Sequence, residues 1–424
     1  MSKNQKDFFS HKEEWSIIKD NLLAGYLPQY FQKLLMTGRS IYYVDCFAGK
    51  GMFDDGNFGS PLIAMQIRDK RLKASNSVQA QRPGAIKLCF IELNHADDLK
   101  RNIMNFSCCY DKPEVVNAKF EDSIRAILRD KYGQNVFLYI DPYGIQALNS
   151  DLFNELRNYG FYTFEMLINF NSFGFFRDAC RVMKVDYSHD SALNNLEDLI
   201  EYEPAEFDTN SKLGIEKSKR ILTSIAGGDY WKDIVRGFHN NDYDGYSAER
   251  QLSTAYKEHL KENYSYVLDI PIRLKTGYRP KYRMIHVSDH EDACFLMAQN
   301  MQKRKDELFI NVQNKGQLSL FDKVSDLSST VEGELLTEED IVTKVKSHLL
   351  YCAKDTRMRV FLAEFCNKFG LICRFDMIYR ILEGLELDGE VEIIREPAFT
   401  RVGKKSKFWD EACGKKVFIR RKLL

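Results

Sequence analysis

Apolar residues recur three or four apart between Glu14 and Leu35, at Trp15, Ile18, Leu22, Tyr26 and Tyr30, which predicts an amphipathic helix. Pro28 falls inside it and predicts a bend or a split. The pattern then changes. Ile41 to Asp45 is a short apolar, β-branched run that reads as a buried strand. A helix follows, opened by Ser60-Pro61 and running through Ile67. Ile86 to Ile91 is a second strand, with a helix from about Asp97 to Phe106 after it. A weak strand around Val115-Val116 leads to a helix over Ser123 to Arg129. Val136 to Ile140 and Met166 to Ile168 are two further strands.

Strands that alternate with helices predict an α/β fold with a mostly parallel, Rossmann-like sheet and right-handed crossovers. Several of these strands finish on a carboxylate or amide: Asp45, Glu92, Asp141 and Asn169, with Glu121-Asp122 after the weak one. A single Asp after a strand is ordinarily a turn residue or helix cap. Open parallel sheets bind ligands outside the carboxyl ends of their strands, so repeated acids there point to a site.

Residues 175–262 lack a strand rhythm and read as a helical insertion. Tyr264 to Leu274 and Tyr282 to Val287 alternate as two more strands, and Glu291 to Lys303 reads as a helix. Together these predict a first domain over residues 1–305. The polar stretch 306–334 suits a linker. Residues 335–424 then carry three helical patterns: Thr337 to Leu350, Arg357 to Phe369 and Arg374 to Leu387, with a turn at Gly370. Strand-like pieces follow at Glu390 to Ile394 and Lys407 to Trp409, around a basic segment. Three helices and a basic hairpin outline a winged helix-turn-helix domain.

Composition changes this picture only locally. With 61 basic and 61 acidic residues the net charge is zero. From Arg395 onward, however, ten basic side chains face only Glu396, Asp410 and Glu411. Arg401, Lys404, Lys405 and Lys407 are therefore candidate nucleic-acid contacts, and a merely solvated basic tail is the alternative. The ten cysteines form no paired C-x-x-C spacing, so no metal site is expected; Cys89, Cys294 and Cys366 read as small core residues. A polar start and the lack of a membrane-length apolar run suggest a cytoplasmic protein.

Asp45-Cys-Phe47-Ala48-Gly49-Lys-Gly51 is the motif with most chemical content. Its glycines permit a tight turn and close approach of the backbone to a ligand. It lacks the third Gly and the Lys-Ser/Thr of phosphate-binding loops. A carboxylate beside it would repel phosphate but could pair with an ammonium. Glu92 can accept hydrogen bonds from two ribose hydroxyls, and Asp122 can hold an adenine amino group, with Ile124 or Phe120 against the ring. Ammonium, ribose and adenine together describe S-adenosylmethionine. At Asp141-Pro142-Tyr143-Gly144 the acid can accept an N–H and the tyrosine can stack on a base. Helix-capping by Asp141 and core packing by Tyr143 are the alternative. Asn169-Phe-Asn171 could orient substrate or form a turn. Phe173, Phe175 and Phe176 could stack bases or fill the core, and His95 reads as a surface side chain.

V-D-C-F-A-G-K-G resembles motif I of class I S-adenosylmethionine-dependent methyltransferases, Ile91-Glu92 their motif II, and Asp141-Pro-Tyr-Gly their motif IV. With Gly59-Ser-Pro61, I-E-L and the winged-helix tail, the chain is similar along most of its length to the three-Cys-motif partner (TcmP) family. The resemblance implies a seven-stranded class I methyltransferase sheet, a three-cysteine-motif partner protein and an origin in mobile elements. The single proline and following glycine depart from the D-P-P-Y of amino-directed enzymes and come closer to the D-P-F-G of guanosine N2-methyltransferases. The leading expectation is thus methylation of an exocyclic base amine in RNA or DNA. A non-catalytic cofactor-binding subunit and a DNA-binding regulator are the rivals.

Overall fold

The structure is a computed structural model, and it describes residues 9–74, 84–193, 207–272, 282–315, 330–331, 334–352, 355–411 and 414–422. The chain divides into two compact units, Met1–Asp289 and His290–Leu424.

The first unit is a mixed α/β domain with a seven-stranded sheet in the order β3-β2-β1-β4-β5-β7-β6. Its strands are β1 (Ile41–Asp45), β2 (Ile86–Ile91), β3 (Glu114–Val116), β4 (Asn135–Ile140), β5 (Thr163–Phe170), β6 (Tyr266–Ile272) and β7 (Tyr282–Ser288). β7 runs antiparallel to both neighbours, and the remaining pairs are parallel. Every residue of β4 is buried, as is all of β5 after its first. Continuous apolar runs of this kind belong to strands covered on both faces. Pro271, which cannot donate to a ladder, sits in β6 at the sheet's edge.

α1 (Glu14–Leu35) precedes β1, and α2 (Ser60–Ala74), α3 (Ala96–Asn105), α4 (Phe120–Leu128) and α5 (Ser150–Arg157) lie between the strands. Contrary to the expected split, α1 runs unbroken through Pro28. An interior proline costs about 3 kcal/mol. Leu22, Leu23, Tyr26, Leu27, Tyr30 and Phe31 are all buried along α1, and at ~1.5–3 kcal/mol each they outweigh that cost. The insertion begins at Ser172, a little earlier than expected. It comprises α6 (Ser172–Met183), α7 (Lys212–Ala226), α8 (Tyr230–His239) and α9 (Gly245–Lys261). Phe173, Phe175 and Phe176 are core residues there, each about 1% exposed, so they offer no ring to a base.

The second unit opens with α10 (Glu291–Lys315), which packs along α12 (Met358–Phe369). This corrects the expected boundary. Residues 291–315 were divided between a first domain ending at 305 and a linker, but they form one helix of the second unit. Residues 316–329 of that linker lie outside the described residues, and a two-stranded hairpin follows, β8 (Thr330–Val331) with β9 (Glu334–Leu335). Next come α11 (Glu338–Leu349), started by a Thr337–Asp340 capping box, then β10 (Asp355–Arg357), α12 and α13 (Phe375–Leu387). β11 (Val391–Glu396) and β12 (Lys416–Arg421) complete an antiparallel sheet in the order β10-β12-β11.

The returning strand is β12, not Lys407 to Trp409. Val417 and Ile419 alternate inward along β12. Residues 406–411 are held irregularly instead. Trp409 stacks on Tyr379 at 4.5 Å, and buried Glu411 receives the Val417 amide at 2.9 Å. No helix among the described residues is long and apolar enough to cross a membrane.

Candidate functional site

The strand order reverses between β1 and β4, which are adjacent although two strands, β2 and β3, separate them in sequence. Ligand crevices in open α/β sheets form outside the strand ends at such a switch point. A cavity of about 620 Å³ lies there. Its wall brings together Phe47, Ala48, Gly49, Gly51, Glu92, Asp141, Pro142, Tyr143 and Asn169 from motifs far apart in sequence.

At one end, the glycine turn follows β1. Gly49 and Gly51 have φ of +59° and +76°, a backbone region glycine enters without strain. A Cβ on Gly51 would lie 2.8 Å from Leu99 Cδ1, so the position has no room for a side chain either. The Glu92 carboxylate ties this turn to the end of β2. Its Oε2 accepts from the Gly49 amide at 2.8 Å, and its Oε1 accepts from the amides of Asn94 and His95 at 2.8 and 3.0 Å. His95 is not a loose surface residue. It lines the cavity, and its ring meets Phe9 edge-on at 4.9 Å. Phe120, at the start of α4, supplies an apolar wall, whereas Ile124 is buried outside the lining.

Two expected cofactor residues lie elsewhere. Asp122 is exposed on α4 and off the cavity wall, and its neighbour Glu121 lines the cavity instead. The helix starts at Phe120, earlier than the sequence suggested, and this changes which acid faces inward. Asp45 is fully buried beneath the turn and is not part of the wall. It accepts from the Phe47 amide at 3.3 Å, and its Oδ2 has no hydrogen-bond partner. Burial pushes its carboxyl up to about 7, against the opposing hydrogen bonds from Ser60 and Phe47. Asp45 therefore supports the turn from below.

At the other end, Asp141 stands just past β4. Lys19 Nζ donates to both of its oxygens at 2.8 Å, Asn169 Nδ2 donates to Oδ1 at 2.7 Å, and Tyr139 approaches Oδ2 at 3.4 Å. A carboxylate only accepts, so Asp141 fixes which way the Asn169 amide points. Asn169 Oδ1 is left buried without a partner. Asp20, beside Lys19, pairs with Lys12 at 2.6 Å, yet burial pushes its carboxyl up to about 6. Pro142 lines the cavity, and Tyr143 is 70% exposed at the rim, so it is no core residue.

Lys19, Asp20 and Tyr282, whose ring lies 5.1 Å from Lys19 Nζ, were not singled out from sequence. A signal existed: Lys19 sits four residues after Trp15 and three before Leu22, on the helix's apolar stripe, where a cation calls for a buried anion. In the second unit, Arg401, Lys404, Lys405 and Lys407 are all exposed around a tight turn closed by the Thr400 amide on Lys404 O at 2.8 Å.

The sheet, its switch point and the cavity over it define a mixed α/β protein with a ligand-sized crevice. Compared with known proteins, the chain matches no protein-family model and no curated protein. Among solved structures it is similar to the plantazolicin methyltransferase BamL, solved in complex with a triazolic desmethylPZN analog and SAH. The identity is 10% over 68% of this chain and 88% of that one, with a TM-score of 0.27. At that score the likeness carries no weight for function.

Proposed function

We propose that this protein is an S-adenosylmethionine-dependent methyltransferase whose cofactor lies at the Gly49–Glu92 end of the cavity and whose acceptor lies at the Asp141–Tyr143 end. The observation that carries the reading is the meeting of the glycine turn, Glu92, Phe120 and Asp141 in one cavity at the switch point of the sheet.

The residues present fit that cofactor. Glu92 beside the turn disfavours a phosphate and suits ribose hydroxyls, and half-buried Phe47 on the wall, backed by buried Phe120 at 5.5 Å, offers a face for the purine. Asp20, Glu92, Glu121 and Asp141 on the wall outnumber Lys19 and Lys119, an excess of acids that suits a cationic ligand. The bound cofactor supplies an activated methyl group on a positively charged sulfur. The chain's own contribution is to hold the acceptor in line and exclude water, a positioning effect that supplies much of the barrier reduction. Tyr143 offers its exposed ring to a planar acceptor at the rim. Asn169 holds the Asp141 carboxylate in place, and Lys19 neutralises it.

For the acceptor we favour an exocyclic amine of a nucleic-acid base. The second unit supports this with α11, α12, α13 and the β10-β12-β11 sheet, the outline of a winged helix, and with four exposed cations at the hairpin tip. The outer face of α13 carries Asp376 and Glu383 beside Arg380, so phosphate contact falls to the hairpin. A three-cysteine-motif partner rests on the motif resemblance alone. One observation favours a second reading, a non-catalytic cofactor-binding subunit. Lys19, Asn169 and Tyr139 together engage both oxygens of Asp141, which leaves little of the carboxylate for an amine.

Transfer of a labelled methyl group to tRNA, rRNA and duplex DNA, with wild type beside Asp141→Asn, separates the two. Transfer by the wild type that Asp141→Asn abolishes while S-adenosylhomocysteine still binds supports catalysis at Asp141. Cofactor binding with no transfer, with or without a three-cysteine-motif protein, supports the second reading.

A further inference from the structure

The second unit contains a side-chain cluster that the proposed reaction does not use. One ring nitrogen of His348, at the end of α11, the Cys352 sulfur just beyond it and a carboxylate oxygen of Glu364 on α12 all lie within 4.8 Å of one another. His348 is 4% exposed. Its Nε2 lies 3.2 Å from the carbonyl of Phe361, and a carbonyl only accepts, so Nε2 carries the proton. Nδ1 is then a bare lone pair, buried and without a hydrogen-bond partner. A buried acceptor left unsatisfied costs about 1–3 kcal/mol. Nε2 also stands 4.0 Å from Glu364 Oε2. Metal-bound histidines characteristically donate one ring nitrogen to a backbone carbonyl or carboxylate and ligate through the other, which here is Nδ1.

We propose that His348, Cys352 and Glu364 form a binding site for one divalent transition-metal ion of the zinc class. Nitrogen, sulfur and a single carboxylate oxygen suit zinc, whereas magnesium and calcium take oxygen ligands. Three protein ligands leave a fourth, tetrahedral position for water, and the site opens on the side of the half-exposed Glu364. The metal binds Cys352 as its thiolate, and the thiol proton leaves to solvent. Sequence spacing gave no hint of the site, because a search for paired C-x-x-C units passes over a His and a Cys four apart whose third partner lies on another helix.

The test uses the full chain, freed of metal with a chelator and titrated with cobalt(II), whose bond to thiolate gives a charge-transfer absorption. One equivalent per chain should bind with that band, and zinc should displace it and raise the thermal midpoint. Cys352→Ser should remove the band. Glu364→Gln, at a half-exposed position, should weaken binding by more than the ~10–100-fold typical of losing an outer partner. No thiolate band in the wild type, or a band that persists in Cys352→Ser, would overturn the site; the latter would place the metal on another cysteine, such as exposed Cys109.

Discussion

Asp45 shows what a buried acid does at the scale of one residue. Its carboxyl is held near 7 rather than 3.8, chiefly by burial. The folded chain therefore binds this proton more tightly than the unfolded chain. By linkage, stability falls as pH rises from about 4 to about 7, and the loss is complete above 7. At ~1.4 kcal/mol per tenfold in proton affinity the effect is on the order of 4 kcal/mol, and Asp20, held near 6, adds to it in the same direction. Asp45→Asn should flatten this pH dependence in urea denaturation and leave the variant the more stable of the two at pH 8. An unchanged slope would show that the acid is not the cause. Gly51→Ala tests the neighbouring turn. Positive φ and the 2.8 Å approach to Leu99 together predict a loss of about 1–3 kcal/mol, and S-adenosylhomocysteine affinity should fall more than stability alone explains.

Among the elements, α1 and the β11–β12 hairpin carry opposite lessons. The periodicity of α1 was plain in the sequence, but its continuity was not, because a proline rule is local and the burial that overrides it is tertiary. Pro28→Ala should restore an intrahelical donor and raise stability by about 1–3 kcal/mol in thermal unfolding. A destabilised variant would mean that the helix is packed around the proline ring. In the hairpin the basic residues were legible and the second strand was not. Lys407 to Trp409 has a strand's composition, yet Tyr379 and Glu383 on α13 capture Trp409 by stacking and a 3.0 Å hydrogen bond. If the tip meets duplex DNA, replacing Arg401, Lys404, Lys405 and Lys407 with alanine should lower the salt slope of binding by roughly 3–4, at ~0.9 per phosphate contact. An unchanged slope would remove the tip from the interface.

For the whole molecule, the parallel sheet could be read in advance because four of its five parallel strands end within a residue of Asp45, Glu92, Asp141 or Asn169 and a helix pattern follows. The gathering of Glu92, Asp141 and Asn169 over one cavity followed from the general rule for such sheets. What could not be read was the contribution of α1. Lys19 and Asp20 precede β1 by some twenty residues and reach the cavity only through packing. Asp122 failed for a related reason: one position along a helix separates an inward acid from an outward one. The domain boundary failed because nothing in the helical pattern of α10 says which unit it joins, and its packing on α12 assigns it.

The most direct test of the central claim is calorimetric titration of the full chain with S-adenosylmethionine and S-adenosylhomocysteine, beside Glu92→Ala. Stoichiometric binding of both by the wild type, lost in the variant, is the expected result, because Glu92 holds the glycine turn and faces the cavity. Absence of binding in the wild type, or full affinity in Glu92→Ala, would contradict a cofactor site at that end of the cavity.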